Sequence, residues 1–227
     1  MSHFNTLVFS HTPDEVDDLL APFCECVEPY SPYAVFVKDE ECDIDKASGR
    51  KGYWMNPDAK FDWYCCPGRW RSTLKLKAGK TGVRAPLGKY DDPACDRLGY
   101  CDRALVADLD TSRDEKAYLK ALRRWEIVVE GAKPTPEEQK EQFLVYKPEF
   151  YLQRYGDKEF YAQYESSFIP YAFVSADGQF RACGRMGWFG CDNSTRESME
   201  EYWTEFNAYL EEARKQGLIA SMMDLHI

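Results

Sequence analysis

The chain reads as one α+β domain over residues 1–227: a mainly antiparallel sheet that includes both terminal strands, with a helical insert or subdomain over 112–166. Three observations predict this. Short apolar runs stand at both ends, Phe4 to Ser10 and Leu218 to Ile227. Two further apolar-patterned runs, Phe168 to Ser175 and Gln179 to Gly184, flank Ala176-Asp177-Gly178, an Asp-Gly hairpin signal. Helical spacing is concentrated in 112–166 and after Ser194. The two terminal strands are expected to be spatial neighbours. At 227 residues and 44% hydrophobic content the chain can bury a core, and this composition excludes disorder for most of its length.

The elements follow in order. Phe4 to Ser10 is a first strand. Thr12-Pro13-Asp14-Glu15 opens a short helix, with Thr12 as cap, Pro13 at the first position and Glu15 completing a capping box. Residues 24–60 have no clear period; Glu28 to Tyr33 reads as extended and the acidic run Lys38 to Asp45 as a loop. Trp70 to Lys77 alternates, with Trp70, Ser72, Leu74 and Leu76 on one side and Arg71, Thr73, Lys75 and Lys77 on the other, which predicts a half-buried strand with a basic outer face. Arg113 to Glu130 carries helical spacing and ends at Gly131. Thr135-Pro136-Glu137-Glu138 repeats the capping pattern and predicts another helix. The aromatic-rich segment 146–166 is partly helical. Ser194 and Glu197 form a capping box for a helix ending at Gly217, with Met199, Tyr202, Trp203, Phe206, Leu210 and Ala213 on its apolar face. Leu218 to Ile227 closes the chain as a strand.

With 39 acids and 29 Lys plus Arg, the net charge is −10, which disfavours direct binding to nucleic acid or to an anionic membrane. No apolar run reaches the roughly 18–20 residues of a membrane span, and the start of the chain has no secretory pattern. Nine cysteines, an odd number, are expected as reduced thiols in a cytoplasmic protein. Their spacings lack the C-x-x-C pair of a zinc site. No metal and no cofactor is expected.

Two constellations stand out. From Arg69 to Lys89 there are seven bases and no acid, preceded by Trp63 and Tyr64. Arg and Lys beside aromatic rings can hold a phosphate and stack a base, so Asp62, Trp63, Arg69, Trp70, Arg71, Lys75 and Lys77 are the candidate ligand- or partner-binding residues. The structural alternative is a strand whose bases pair with the acidic first fifty residues. Gly79-Lys80-Thr81 mimics the end of a phosphate loop, but Leu74 stands where that loop needs Gly, and no nucleotide-triphosphatase follows. The second constellation is histidine. Of only three in the chain, His3 and His226 lie near the two ends. Asp224, two positions before His226, shares its face on a strand. Paired terminal strands would gather His3, Asp224 and His226 into a polar cluster suited to metal binding or acid–base work; the alternative is that histidines at strand ends are simply exposed. There is no G-x-S-x-G. Asp108-Leu109-Asp110 needs no role beyond helix-entrance charge, and the Gly184, Gly187, Gly190 series reads as a tight chain turn.

The opening Met1-Ser2-His3-Phe4, the block Phe61-Asp62-Trp63-Tyr64-Cys65-Cys66-Pro67-Gly68-Arg69-Trp70, the stretch Gly184 to Gly190 and the ending Asp224-Leu225-His226-Ile227 resemble a family of phage- and prophage-encoded accessory proteins. That family opens Met-Ser-His-Phe, carries a Trp-Asp-Trp-Tyr…Gly-Gly-Arg-Trp block and closes on Asp-x-His-Ile. The chain departs from it at Phe61, where Trp is expected, and at Pro67, where Gly is expected. The resemblance implies a mobile genetic element acting in a bacterial cytoplasm. By analogy it also implies a non-enzymatic, anti-CRISPR-like inhibitor of host defence. Acidic segments (Asp39, Glu40, Glu41 and Asp43; Glu200, Glu201 and Glu205) would then face a host defence protein or ribonucleoprotein complex. Two other readings stand beside it. One is a binder or enzyme for a small anionic ligand such as a nucleotide, built on the arginine–tryptophan block and the terminal histidines. The other is a structural or interaction module.

Overall fold

The computed structural model describes residues 2–87, 93–141 and 146–227; Met1, Gly88 and Lys89 lie outside them. Among the described residues the main sheet has six strands. Its centre is β1 (His3–Ser10) paired antiparallel with β10 (Ile219–His226) along their full length, from His3 opposite His226 to Ser10 opposite Ile219. The far side of β10 is shared by β4 (Trp63–Cys65) and β7 (Arg103–Leu105). Beyond β1 come β8 (Ala172–Val174), which runs parallel to it, and β9 (Phe180–Ala182), joined to β8 as a hairpin. The fold is therefore mixed α+β with a mainly antiparallel sheet that contains both terminal strands.

Both faces of the central pair are covered, so its residues are almost continuously buried. Side chains alternate across the sheet. Leu7, Phe9, Ala220 and Met222 enter one core cluster; Phe4, Val8, Met223 and Leu225 enter another on the opposite face. The first cluster is closed by α2 (Glu115–Val128), α3 (Pro148–Tyr155), α4 (Lys158–Ser166) and α5 (Arg196–Gln216). The segment 112–166 thus contributes Ala121, Trp125, Tyr151, Tyr155, Phe160 and Tyr161 to the same core as the sheet. The second cluster is closed by α1 (Val16–Leu20) and by Phe61.

Several local expectations shift. The cap of α5 is Thr195, whose hydroxyl accepts the Ser198 N–H, rather than Ser194. Gly217 ends that helix with φ 70°, the left-handed conformation that favours glycine. Thr135 and Glu138 do exchange capping hydrogen bonds, but only a single 3-10 turn, Glu138–Lys140, follows. The featureless stretch 24–60 holds a hairpin of β2 (Val35–Lys38) and β3 (Gly52–Met55).

The alternating basic strand is the largest correction. Gly68–Trp70 is a 3-10 turn, and only Leu74–Lys75 forms a strand, β5, paired with β6 (Tyr100–Cys101). Ser72 takes φ 53°, which breaks the alternation and turns Arg71 and Ser72 inward together. The Arg71 Nε–H donates to Asp96 at 2.6 Å, and the buried Asp102 accepts the Ser72 and Ala85 N–H groups at 2.6 and 3.0 Å. Lys75 pairs with Asp110, Lys80 with Asp108 and Arg84 with Asp96. Four of its bases, Arg71, Lys75, Lys80 and Arg84, are thus neutralised by carboxylates at 96–110, not by the acidic first fifty residues. All nine cysteines are unbridged. Among the described residues no helix is long and apolar enough to cross a membrane.

Candidate functional site

The register of β1, β10 and β4 builds the site. His3 stands opposite His226, and His226 opposite Trp63. Residues facing each other across antiparallel strands put their side chains on the same face within contact range, so three rings from three strands form a row. The His226 ring stacks on Trp63 at 4.8 Å with a 20° interplanar angle, and meets the His3 ring edge-on, also at 4.8 Å. Trp63 keeps 44% of its surface exposed, whereas the histidine side chains are 10% and 5% exposed.

Each imidazole is held by a carboxylate, and the pairing is crossed. Asp224 and His226 share a face of β10, as their spacing requires, yet Asp224 does not bind His226. It reaches diagonally across the strand pair, and the His3 Nδ1–H donates to its Oδ1 at 2.8 Å. The His226 Nδ1–H instead donates to Asp62 Oδ1 at 2.6 Å. Asp62 also accepts its neighbour's N–H, from Trp63 at 2.8 Å, and its own N–H donates to the His226 carbonyl at 3.0 Å. A carboxylate accepts and does not donate, so the proton sits on Nδ1 of both rings and leaves Nε2 as the chemically open nitrogen. Among the described residues neither Nε2 has a partner.

The turn after β4 completes the cluster. The Arg69 N–H donates to Asp224 Oδ2 at 3.0 Å, so both oxygens of this buried carboxylate are engaged. That approach depends on Gly68. Its φ is +57°, and a Cβ there would fall 2.6 Å from Asp224 Cβ and 2.8 Å from Cys65 Sγ. The Arg69 side chain is exposed, and its guanidinium has no partner among the described residues. Pro67, where the resemblance expects Gly, follows a cis peptide bond.

Of the candidate residues, His3, Asp224, His226, Asp62, Trp63 and Arg69 come together. The others do not join them. Trp70 packs against the helix-side core. Arg71 is buried against Asp96 and Asp102, Lys75 is paired with Asp110, and the Lys77 ammonium donates to the Ala107 carbonyl. The acidic candidates are scattered and partly neutralised. Glu40 pairs with Lys38, Glu200 with Arg196 and Glu205 with Arg181; Asp39 accepts the Glu41 N–H, and Asp43 and Glu201 are exposed. Asp62 was expected to meet a ligand, and its service to His226 was not foreseen; no spacing signals a bond between residues 164 positions apart. Among the described residues no group of three or more His, Cys, Asp or Glu is disposed to hold a metal ion. Compared with models of protein families, with curated proteins and with solved structures, the chain matches none.

Proposed function

We propose that this cluster performs general acid–base catalysis on a phosphodiester of a small nucleotide. The observation that carries the reading is the pair of adjacent imidazoles, each tied through Nδ1 to its own carboxylate and each with Nε2 open. A neutral Nε2 on one ring takes the proton of the attacking hydroxyl or water. The other ring, protonated, gives its Nε2 proton to the oxygen that leaves phosphorus as the P–O bond breaks. The carboxylates orient the rings and stabilise the imidazolium form. The exposed Arg69 guanidinium suits the phosphate charge, and the exposed face of Trp63 suits a base. A small substrate is favoured over a polymer because the bases of 71–84 are largely engaged by the protein's own carboxylates and carbonyls, leaving no basic track for a long backbone along that segment among the described residues.

Occupation of a basic groove on a host defence complex by acidic segments has less behind it. Those carboxylates lie on separate elements, and several already face a lysine or arginine.

The test is turnover of a panel of cyclic and linear mono- and dinucleotides, with products separated chromatographically. At least one phosphodiester should be cleaved. His3→Ala or His226→Ala should lower the rate by about 10²–10⁴-fold, while Asp62→Asn and Asp224→Asn lower it less. Far-UV dichroism would verify that the variants fold. The reading ends if nothing in the panel is cleaved, or if the double histidine variant cleaves at the parent rate.

A further inference from the structure

A concave site lies on the other face of the same end of the sheet. Chain neighbours of the site residues turn there: Phe4 follows His3, Phe61 precedes Asp62 and Ile227 follows His226. They help line a cavity of about 660 Å³ between segment 55–61 and the β9–186 segment. Phe180 and Met186 add apolar surface from the second wall. This volume lies in the range of small-molecule sites, which are mostly apolar with a few polar groups.

Both walls are pinned in place. The Asn56 side-chain amide donates to the Pro22 and Cys24 carbonyls at 2.8 and 2.9 Å, and the Lys60 N–H to the Phe23 carbonyl at 2.8 Å. Opposite, the Arg185 N–H donates to Asn193 Oδ1 at 2.6 Å, and the Gly187 N–H to the Cys191 carbonyl at 2.7 Å. The cavity is therefore preformed, which lowers the ordering cost of binding.

Its charge is unusual for this chain. Lys60 on one wall and Arg185 on the other are exposed lining residues, and among the described residues neither side-chain cation has a carboxylate partner. Many other bases of this acidic protein are paired. The one acidic side chain among the lining residues, Glu25, makes no ion pair with either. A cavity of mixed lining, with apolar side chains between and an unpaired cation on each wall, matches a ligand with a greasy body and an anionic head.

We propose that this cavity binds a small organic anion with an aromatic or acyl body, its carboxylate or phosphate met by Lys60 and Arg185. The proposal stands independently of the histidine chemistry across the sheet.

The test uses the fluorescent dye anilinonaphthalene sulfonate, with its uncharged relative phenylnaphthylamine as control. The sulfonate dye should bind saturably, one per folded chain. Lys60→Ala combined with Arg185→Ala should weaken it by about tenfold, the loss of two partly exposed charge contacts, while leaving phenylnaphthylamine binding unchanged. Ala182→Trp, which puts an indole into the cavity, should reduce both. Decanoate and decyl phosphate should compete with the dye, and the stronger competitor identifies the head group. His3→Ala should leave dye binding as it is. Non-saturable dye binding, parent affinity in the double variant, or failure of both decanoate and decyl phosphate to compete would overturn the proposal.

Discussion

At Gly68, two constraints meet in one residue. The backbone is left-handed, and Asp224 and Cys65 occupy the space that a side chain would need. A left-handed conformation costs an ordinary residue about 1–2 kcal/mol, and overlap with Asp224 adds to that. Gly68→Ala should therefore lower the melting temperature, and should also withdraw the Arg69 N–H from Asp224. The amide resonance of Arg69 and the ring resonances of His3 would report that movement. If stability falls but the His3 ring is undisturbed, Gly68 serves only its turn. The Asp–His pairings are residue-scale facts of another kind. Nothing local to His3 indicates Asp224, because their bond spans 221 positions.

Elements differ in how far their own sequence specifies them. In α5, Met199, Tyr202, Phe206, Leu210 and Ala213 are all buried and recur every three or four residues, so the periodicity identifies both the helix and its inward face. Leu210 is 3% exposed within the helix-side core. Leu210→Ala should cost about 2–5 kcal/mol in denaturant unfolding; a loss below about 1 kcal/mol would mean that the core closes over the vacancy. The β8–β9 hairpin was equally legible, since the Asp-Gly turn and the flanking apolar runs agree. The segment 70–77 was not. Its period-two pattern is real in the letters, but the positive φ of Ser72 and the demand of buried Asp102 for donors override it. The 135–140 segment shows the same limit: the capping hydrogen bonds form, and the helix does not extend beyond one 3-10 turn.

On the scale of the whole molecule, charge is balanced between distant segments. Lys75 on β5 lies 2.6 Å from Asp110, ahead of α2. Hydrogen bonds from Lys75 and then from Ser112 hold the Asp110 carboxyl down at about 2, below its ordinary 3.8. A carboxyl depressed in the folded state stabilises above its unfolded value and loses that contribution as pH falls through the folded one. The tie should thus be intact above about pH 4 and lost toward about pH 2. In thermal melts across that window, Asp110→Asn should be less stable than the parent near neutrality, and the difference should shrink as acid is added. A gap independent of pH would show that Lys75 is not its source.

The same scale explains why one end of the sheet holds two sites. Alternation sends His3 and His226 to one face and Phe4 and Ile227 to the other, so a single register creates the polar cluster and the cavity wall together. Reading the letters alone was enough for the α+β class, the pairing of the chain's two ends, the long last helix and the nearness of both terminal histidines to Asp224. Each of these follows from geometry repeated over two to four residues, or from strands too apolar to stay unpaired. The letters could not say that Asp224 serves His3 while Asp62 serves His226, that Arg71 is engaged by Asp96 and the buried Asp102, or that Lys60 and Arg185 face one cavity. Those outcomes depend on register and on contacts between segments far apart in the chain, which are settled when the packed sheet and its covering layers close around each other.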